Sequence, residues 1–263
     1  MQEYFDTNRN LWDAKVEFHK NSEMYDLQGF LNGRNMLNSI ELEGLGQVSG
    51  KKMLHLQCHF GQDSMCWARM GAKVTGVDLS PKAITLARQL NDQLKLDVEF
   101  IESNVLDLKN YLQGQFDIVF TSYGTYGWLP DLEQWAKVIH HFLKPGGVFY
   151  IADFHPILYM YDFPSQSLKY DYFNSGDPNE EISEGTYADK NAPIKNKEFF
   201  WCHSLSEVIS PLLNQGLQLM KFEEFPYSPY DCFENMTEIE KGKFIFEAGI
   251  SLPHVFSLKM YKP

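Results

Sequence analysis

Basic residues are in short supply. Lysine and arginine number 23 against 35 aspartates and glutamates, leaving a formal net charge of −12 and a pI of about 5.1. Clustered cations are what nucleic acids and anionic membranes attract, so this balance argues against a broad footprint for either. The four cysteines, Cys58, Cys66, Cys202 and Cys232, lack close paired spacing and read as buried free thiols rather than a disulfide framework. His55, Cys58, His59 and Cys66 could be taken for metal ligands, but a strand turns His55 and Cys58 to opposite faces and no second cluster of that kind appears, so no metal is expected. No apolar run approaches bilayer length, and Met1-Gln2-Glu3-Tyr4-Phe5-Asp6 has neither the basic region nor the apolar core of a signal peptide. The expected setting is therefore soluble and cytoplasmic. Repeats and low-complexity tracts are also missing.

At 263 residues the chain is long enough for one α/β domain with additions. Its most telling stretch is 53–78. The apolar run Met53-Leu54-His55-Leu56 enters the turn Gln57-Cys58-His59-Phe60-Gly61, an apolar segment follows, and Lys73-Val74-Thr75-Gly76-Val77 ends on Asp78. This is a strand, turn, helix, strand unit that brings a backbone turn and a carboxylate to one edge of a parallel sheet, where nucleoside cofactors bind. Ser80-Pro81 opens the next helix, to about Asn91, and Asp131 opens another that runs to His141. Residues 98–102 and 116–120 read as the third and fourth strands. Leu143-Lys144-Pro145-Gly146-Gly147 precedes a fifth at 148–153, and 217–225 and 255–261 read as a closing antiparallel pair.

In this order the landmarks of residues 50–155 resemble those of the class I S-adenosylmethionine-dependent methyltransferases. The family's first turn runs acid-x-Gly-x-Gly-x-Gly; here His55, Gln57 and His59 occupy the first three of those positions and only Gly61 is retained. The resemblance implies a Rossmann-like α/β fold: a seven-stranded, mostly parallel sheet with helices on both faces and a C-terminal antiparallel strand pair. It further implies S-adenosyl-L-methionine as cofactor, S-adenosyl-L-homocysteine as product, and a small-molecule methyl acceptor. Asp78 is then expected to take the ribose hydroxyls, Leu79 to face the adenine, and Asn104 and Val105 to line the adenine site. Gly61 is expected to pass beneath the cofactor where a Cβ would collide, Gln57 and His59 to flank the methionine part, and Thr121 with Ser122, Tyr123 and Gly124 to lie between cofactor and acceptor. His55 reads as a neutral core histidine.

Residues 1–48 form a helical N-terminal extension with Trp12, His19 and Tyr25 as candidate lid residues, and 49–263 form the cofactor-binding domain. An aromatic and polar insertion at about 156–203 (Tyr159, Tyr161, Phe163, Tyr170, Tyr172, Phe173, Tyr187) reads as an acceptor lid. Ser204-Leu205-Ser206-Glu207 is a capping box for a helix that reaches Gly216 and carries Pro211 as a kink. For proton removal the candidates are His155, at the exit of strand five, then Tyr123 and His203. Two other functions stand beside enzymatic methyl transfer: a non-catalytic S-adenosylmethionine-binding module, and an NAD(P)-dependent oxidoreductase. The oxidoreductase needs G-x-G-x-x-G so that pyrophosphate can meet bare backbone, and Gln57 and His59 crowd that approach. No Asn-Pro-Pro-Tyr-like motif follows strand four; Thr121-Ser122-Tyr123-Gly124 stands there.

Overall fold

Alternation of apolar residues along the strands determines the layers. The computed structural model describes residues 1–162, 165, 167–246 and 250–263; Phe163 lies outside them. Three helices come first, α1 (Gln2–Asn21), α2 (Leu27–Leu31) and α3 (Ser39–Leu45). The alternating core follows as β1 (Lys52–Leu56), α4 (Gln62–Arg69), β2 (Lys73–Asp78), α5 (Pro81–Leu94), β3 (Glu99–Glu102), β4 (Phe116–Ser122), α6 (Leu132–Phe142) and β5 (Leu143–Phe154). Next come α7 (Pro156–Tyr159), two hairpins, β6 (Tyr161–Asp162) with β7 (Ser167–Leu168) and β8 (Asn179–Glu184) with β9 (Lys195–Phe200), and then α8 (Leu205–Asn214). The chain closes with β10 (Gln218–Phe225), a third hairpin of β11 (Met236–Glu240) and β12 (Lys243–Phe246), and β13 (Val255–Tyr261).

Seven strands form one sheet in the order β10-β13-β5-β4-β1-β2-β3, parallel except where β13 pairs antiparallel with β5 and β10. Met53, Ile118, Phe120 and Ala152 face one core, shared with α4 and α5; Leu54, Val119, Phe149 and Ile151 face the other, shared with α6 and α8. Helices thus cover both faces, as a buried parallel sheet requires.

The caps read from sequence hold. Ser80 accepts from Ala83 N, Asp131 from Gln134 N, and the Ser204–Glu207 capping box is present. Differences are local. The strand β5 already begins at Leu143, because Gly146 N donates to Lys262 O (2.7 Å) and Lys262 N donates to Gly147 O (2.9 Å), so the C-terminal segment extends the ladder across the Lys-Pro-Gly-Gly turn. Inside the insertion β8 and β9 make a regular antiparallel hairpin where sequence shows only a long cover. Helix α8 continues through Pro211 to Asn214 and stops short of Gly216.

Candidate functional site

Positive φ is the signature of the turn after β1. Gln57 (56°), His59 (50°) and Gly61 (77°) all adopt left-handed backbone, so the turn keeps the geometry of a glycine turn although two of the three residues carry side chains. Such a conformation costs a non-glycine residue about 1–3 kcal/mol. Tertiary bonds offset that cost. Gln57 Nε2 donates to Thr125 O (2.8 Å), His59 N donates to Asp78 Oδ2 (2.8 Å), and His59 Nε2 stands 3.0 Å from Nδ1 of His19 on α1. The residues in place of glycine therefore fasten the turn to the loop after β4 and to the N-terminal extension. At Gly61 the core itself calls for glycine: a Cβ there would lie 2.5 Å from two ring atoms of Phe100.

The turn forms part of the wall of a cavity of about 540 Å³ at the C-terminal edge of β1, β2 and β4. Gln57, His59, Gly61, Asp78, Leu79, Asn104, Val105 and Tyr123 all line it. Asp78 accepts from His59 N and, through Oδ1, from Ser80 N (2.9 Å). Burial raises its carboxyl to about 6, while the backbone donors oppose the rise. Asn104 spends its Oδ1 as a cap for Leu106 N (3.0 Å), and its NH₂ group remains as a donor.

Thr121 is not on the wall. It is fully buried one residue short of the strand end, and its hydroxyl donates to Leu56 O (3.2 Å), tying β4 to β1. The wall there is Ser122, Tyr123, Gly124 and Thr125. Asp153 shapes this loop by accepting from Gly124 N, Thr125 N, Thr125 Oγ1 and Phe154 N. An acid inside the apolar run Ile151-Ala152-Asp153-Phe154 is the sequence signal that could have singled it out.

His155 also lies off the cavity wall. It caps α7, its Nδ1 accepting from Ile157 N (3.2 Å), and its Nε2 faces Glu224 on β10 at 3.0 Å. The strand end was read correctly but the side chain leaves it toward the antiparallel edge, so His155 shapes the turn into the insertion. Replacing it with alanine is expected to cost about 1 kcal/mol of stability, the usual worth of a helix cap, with any methyl-transfer rate within about threefold of wild type. Denaturant melts and single-turnover assays check both. His203 is likewise structural, with Nε2 at 2.8 Å from Leu129 O and Nδ1 at 3.1 Å from Asn174 Nδ2. Tyr123 does line the cavity, but its hydroxyl donates to Glu41 Oε2 (2.9 Å), and burial followed by the Glu41 charge holds the phenol well above its ordinary pKa.

Neutral histidines and aromatic rings make up much of the remaining wall. His55 packs against Phe120 and bonds Ser64 Oγ through Nδ1 (2.7 Å), and burial lowers it to about 3. Burial also lowers His59 to about 3 and His19 to about 2. Trp12 stands edge-on to His59 (5.5 Å) and Trp128 (5.3 Å), and Tyr25 stacks on His19 (5.1 Å). Tyr187 of the aromatic insertion joins this wall, and so do Lys15, Trp128 and Glu198, which no sequence motif marks. The Lys15 ammonium lies 4.9 Å from the Trp12 ring and 3.7 Å from Glu198, and burial lowers its pKa against the pull of Glu198. Spacing on α1 carries the signal: Trp12, Lys15 and His19 share one helix face.

Besides the His19–His59 and Lys15–Glu198 contacts, Asn8 and Asp13 fasten α1 to the domain. Asn8 Nδ2 donates to Phe199 O (2.7 Å) and its Oδ1 accepts from Phe199 N (2.9 Å), so the amide pairs with β9 as a further strand would. Asp13 accepts from Lys82 N (3.1 Å) and from the Ser80 hydroxyl at the start of α5. Among the described residues no group of three histidine, cysteine or acidic side chains is arranged to hold a metal.

Comparison with known proteins bears on this geometry directly. Residues 54–151, from β1 into β5, match the family model described as "Methyltransferase domain". The matched stretch contains both the left-handed turn after β1 and Asp78 at the end of β2. A Synechocystis protein named "uncharacterized methyltransferase" is 33% identical over 126 residues, covering 48% of this chain and 57% of that protein. A ubiquinone biosynthesis O-methyltransferase of Erwinia tasmaniensis is 28% identical over 130 residues, covering 48% and 53%. The chain thus spans a little over half the length of these curated relatives. An S-adenosylmethionine-dependent methyltransferase of known structure from Mesorhizobium loti superimposes with a TM-score of 0.58 at 18% identity, covering 88% of this chain and all of that one, which establishes the shared fold.

Proposed function

We propose that the chain transfers a methyl group from S-adenosylmethionine to a small organic acceptor bound in the same cavity. One observation carries this reading: a single cavity joins the carboxylate and amide of Asp78 and Asn104 at the sheet edge to the aromatic wall of Trp12, Trp128 and Tyr187 beneath the covers. Its volume of about 540 Å³ falls in the range of small-molecule sites, roughly 300–1,000 Å³. Curated relatives named as ubiquinone biosynthesis O-methyltransferases support an organic acceptor, and the net charge of −12 supports one other than nucleic acid or membrane. Among the described residues no helix is long and apolar enough to cross a membrane. A cytoplasmic setting is part of the same proposal.

The cavity suits the cofactor by its unpaired groups. Gln57 Oε1 and His59 Nδ1 are buried on its wall with no hydrogen-bond partner among the described residues, and each calls for a polar ligand group. When bound, S-adenosylmethionine supplies an electrophilic methyl on a sulfonium. Asp78 would hold the ribose hydroxyls, Leu79 and Val105 the apolar faces of the adenine, Asn104 its edge, and Gln57 and His59 the polar end. With His55 and His59 too weakly basic to take a proton at neutral pH, the chain's contribution is placement and exclusion of water. A dinucleotide suits the cavity less well, because Asp63 in the first turn of α4 sets a carboxylate where a pyrophosphate would seek the helix N-terminus.

The test is transfer of labelled methyl from S-adenosylmethionine to a panel of small phenols, amines and carboxylic acids, with label expected in at least one product. Binding without any transfer would leave the non-catalytic module. The covers give a second readout. Residues 1–30 and about 156–200 are expected to exchange amide hydrogens more slowly when S-adenosylhomocysteine is bound; protection confined to the sheet would remove the lid assignment.

A further inference from the structure

Asp63 is a half-buried carboxylate that forms no ion pair among the described residues. It sits in the first turn of α4, two residues after Gly61, and lines the cavity. Its hydrogen bond from Ser122 Oγ is long, 3.4 Å, and burial pushes its carboxyl up to about 6. A second acid lies near: Glu41, held by Tyr123 and by the backbone N–H of Asn38, is raised to about 7 by burial and then by the Asp63 charge. Neither acid forms an ion pair with a described lysine, arginine or histidine; the lysine on the cavity wall, Lys15, faces Glu198 instead. One acid on the wall, and a second behind it on the Tyr123 hydroxyl, with no described cation paired to either, make this end of the cavity favourable for a positive ligand group and costly without one.

The neighbouring side chains show what Asp63 replaces. His55 on β1 stands where the resembled family carries an acid, and it is neutral, buried, and bonded to Ser64, the residue after Asp63. Successive residues of one helical turn thus do two jobs: Ser64 satisfies the histidine, and Asp63 delivers a carboxylate to the cavity. Gln57 Oε1, unpaired on the same wall, adds a neutral acceptor. We propose that the Asp63 carboxylate is the counter-charge for the α-ammonium of the S-adenosyl ligand, with its negative charge moved from the first strand to the first turn of the following helix. The proposal rests on the S-adenosylmethionine reading above, and it makes Asp63 a binding residue for the methionine end and not for the adenosine end.

Three ligands separate the possibilities in calorimetric titrations of the full chain: S-adenosylhomocysteine, its decarboxylated analogue, which keeps the ammonium, and 5′-methylthioadenosine, which lacks both groups. Asp63→Asn should weaken the first two by about tenfold or more, as loss of a charge-assisted bond does, and change 5′-methylthioadenosine by no more than about twofold. Retained 5′-methylthioadenosine binding also shows that the variant folds. Equal weakening of all three, or of none, would overturn the assignment. So would weakening of S-adenosylhomocysteine alone, which would point to the carboxylate. If wild type bound none of the three, the S-adenosylmethionine reading itself would fall.

Discussion

Replacing Asp78 by alanine is expected to weaken S-adenosylhomocysteine binding by more than about tenfold, since the two ribose hydroxyls would lose an ionised acceptor worth roughly 1.5–3 kcal/mol. Asp78 also receives His59 N and Ser80 N, so its loss loosens both the turn after β1 and the start of α5. Asp78→Asn separates the two effects, because the amide oxygen still accepts one of these bonds while the charge is gone. The same residue predicts a pH dependence. In the free protein burial holds the Asp78 carboxyl at about 6, and hydroxyl donors in the complex favour the ionised form and lower it. Affinity should therefore be full above about pH 6 and decline as the pH drops through that value, less steeply in Asp78→Asn, where the remaining decline is the part due to Asp63. Affinity that is unchanged in Asp78→Ala would remove the ribose assignment.

A second large effect is expected at Gly61, on stability. Alanine there must keep a φ of 77° and place its Cβ 2.5 Å from the Phe100 ring, which is 5% exposed and has little room to yield. Backbone strain and overpacking together predict a loss of about 2–4 kcal/mol in denaturant unfolding. Adding Phe100→Leu should recover the part due to the clash and leave the part due to strain. Gln57→Gly provides the contrast: it relieves strain at a φ of 56° but gives up the bond to Thr125 O, so its net change should stay within about 1 kcal/mol. A Gly61→Ala variant as stable as wild type would contradict the packing described for the turn.

What could be read from the sequence was what local rules write into it. Continuous apolar runs gave the strands, Ser80, Asp131 and the Ser204–Glu207 box gave the helix starts, and the strand, turn, helix, strand unit placed Asp78 on the wall of the cavity. Side-chain direction at a strand end was harder. Thr121 and His155 both lie where strands finish, yet one turns into the interior and the other toward Glu224. The hairpin of β8 and β9 was illegible for another reason. Asn179-Glu180-Glu181-Ile182-Ser183-Glu184 has no apolar face, and its partner β9 is held by Asn8, far away in the chain. Asp63, Glu41 and Lys15 gain their meaning only from tertiary partners, Ser122, Tyr123 and Glu198 respectively, which no local pattern encodes. The first motif shows the same separation from the opposite side: its first two glycines are absent from the sequence, but the left-handed turn they would serve is present at Gln57 and His59.

The most direct measurement is a calorimetric titration of the unmodified chain with S-adenosylhomocysteine and, separately, with NAD⁺. The account predicts saturable one-to-one binding of S-adenosylhomocysteine and no measurable binding of NAD⁺. Binding of NAD⁺ in the absence of any S-adenosylhomocysteine binding would contradict it.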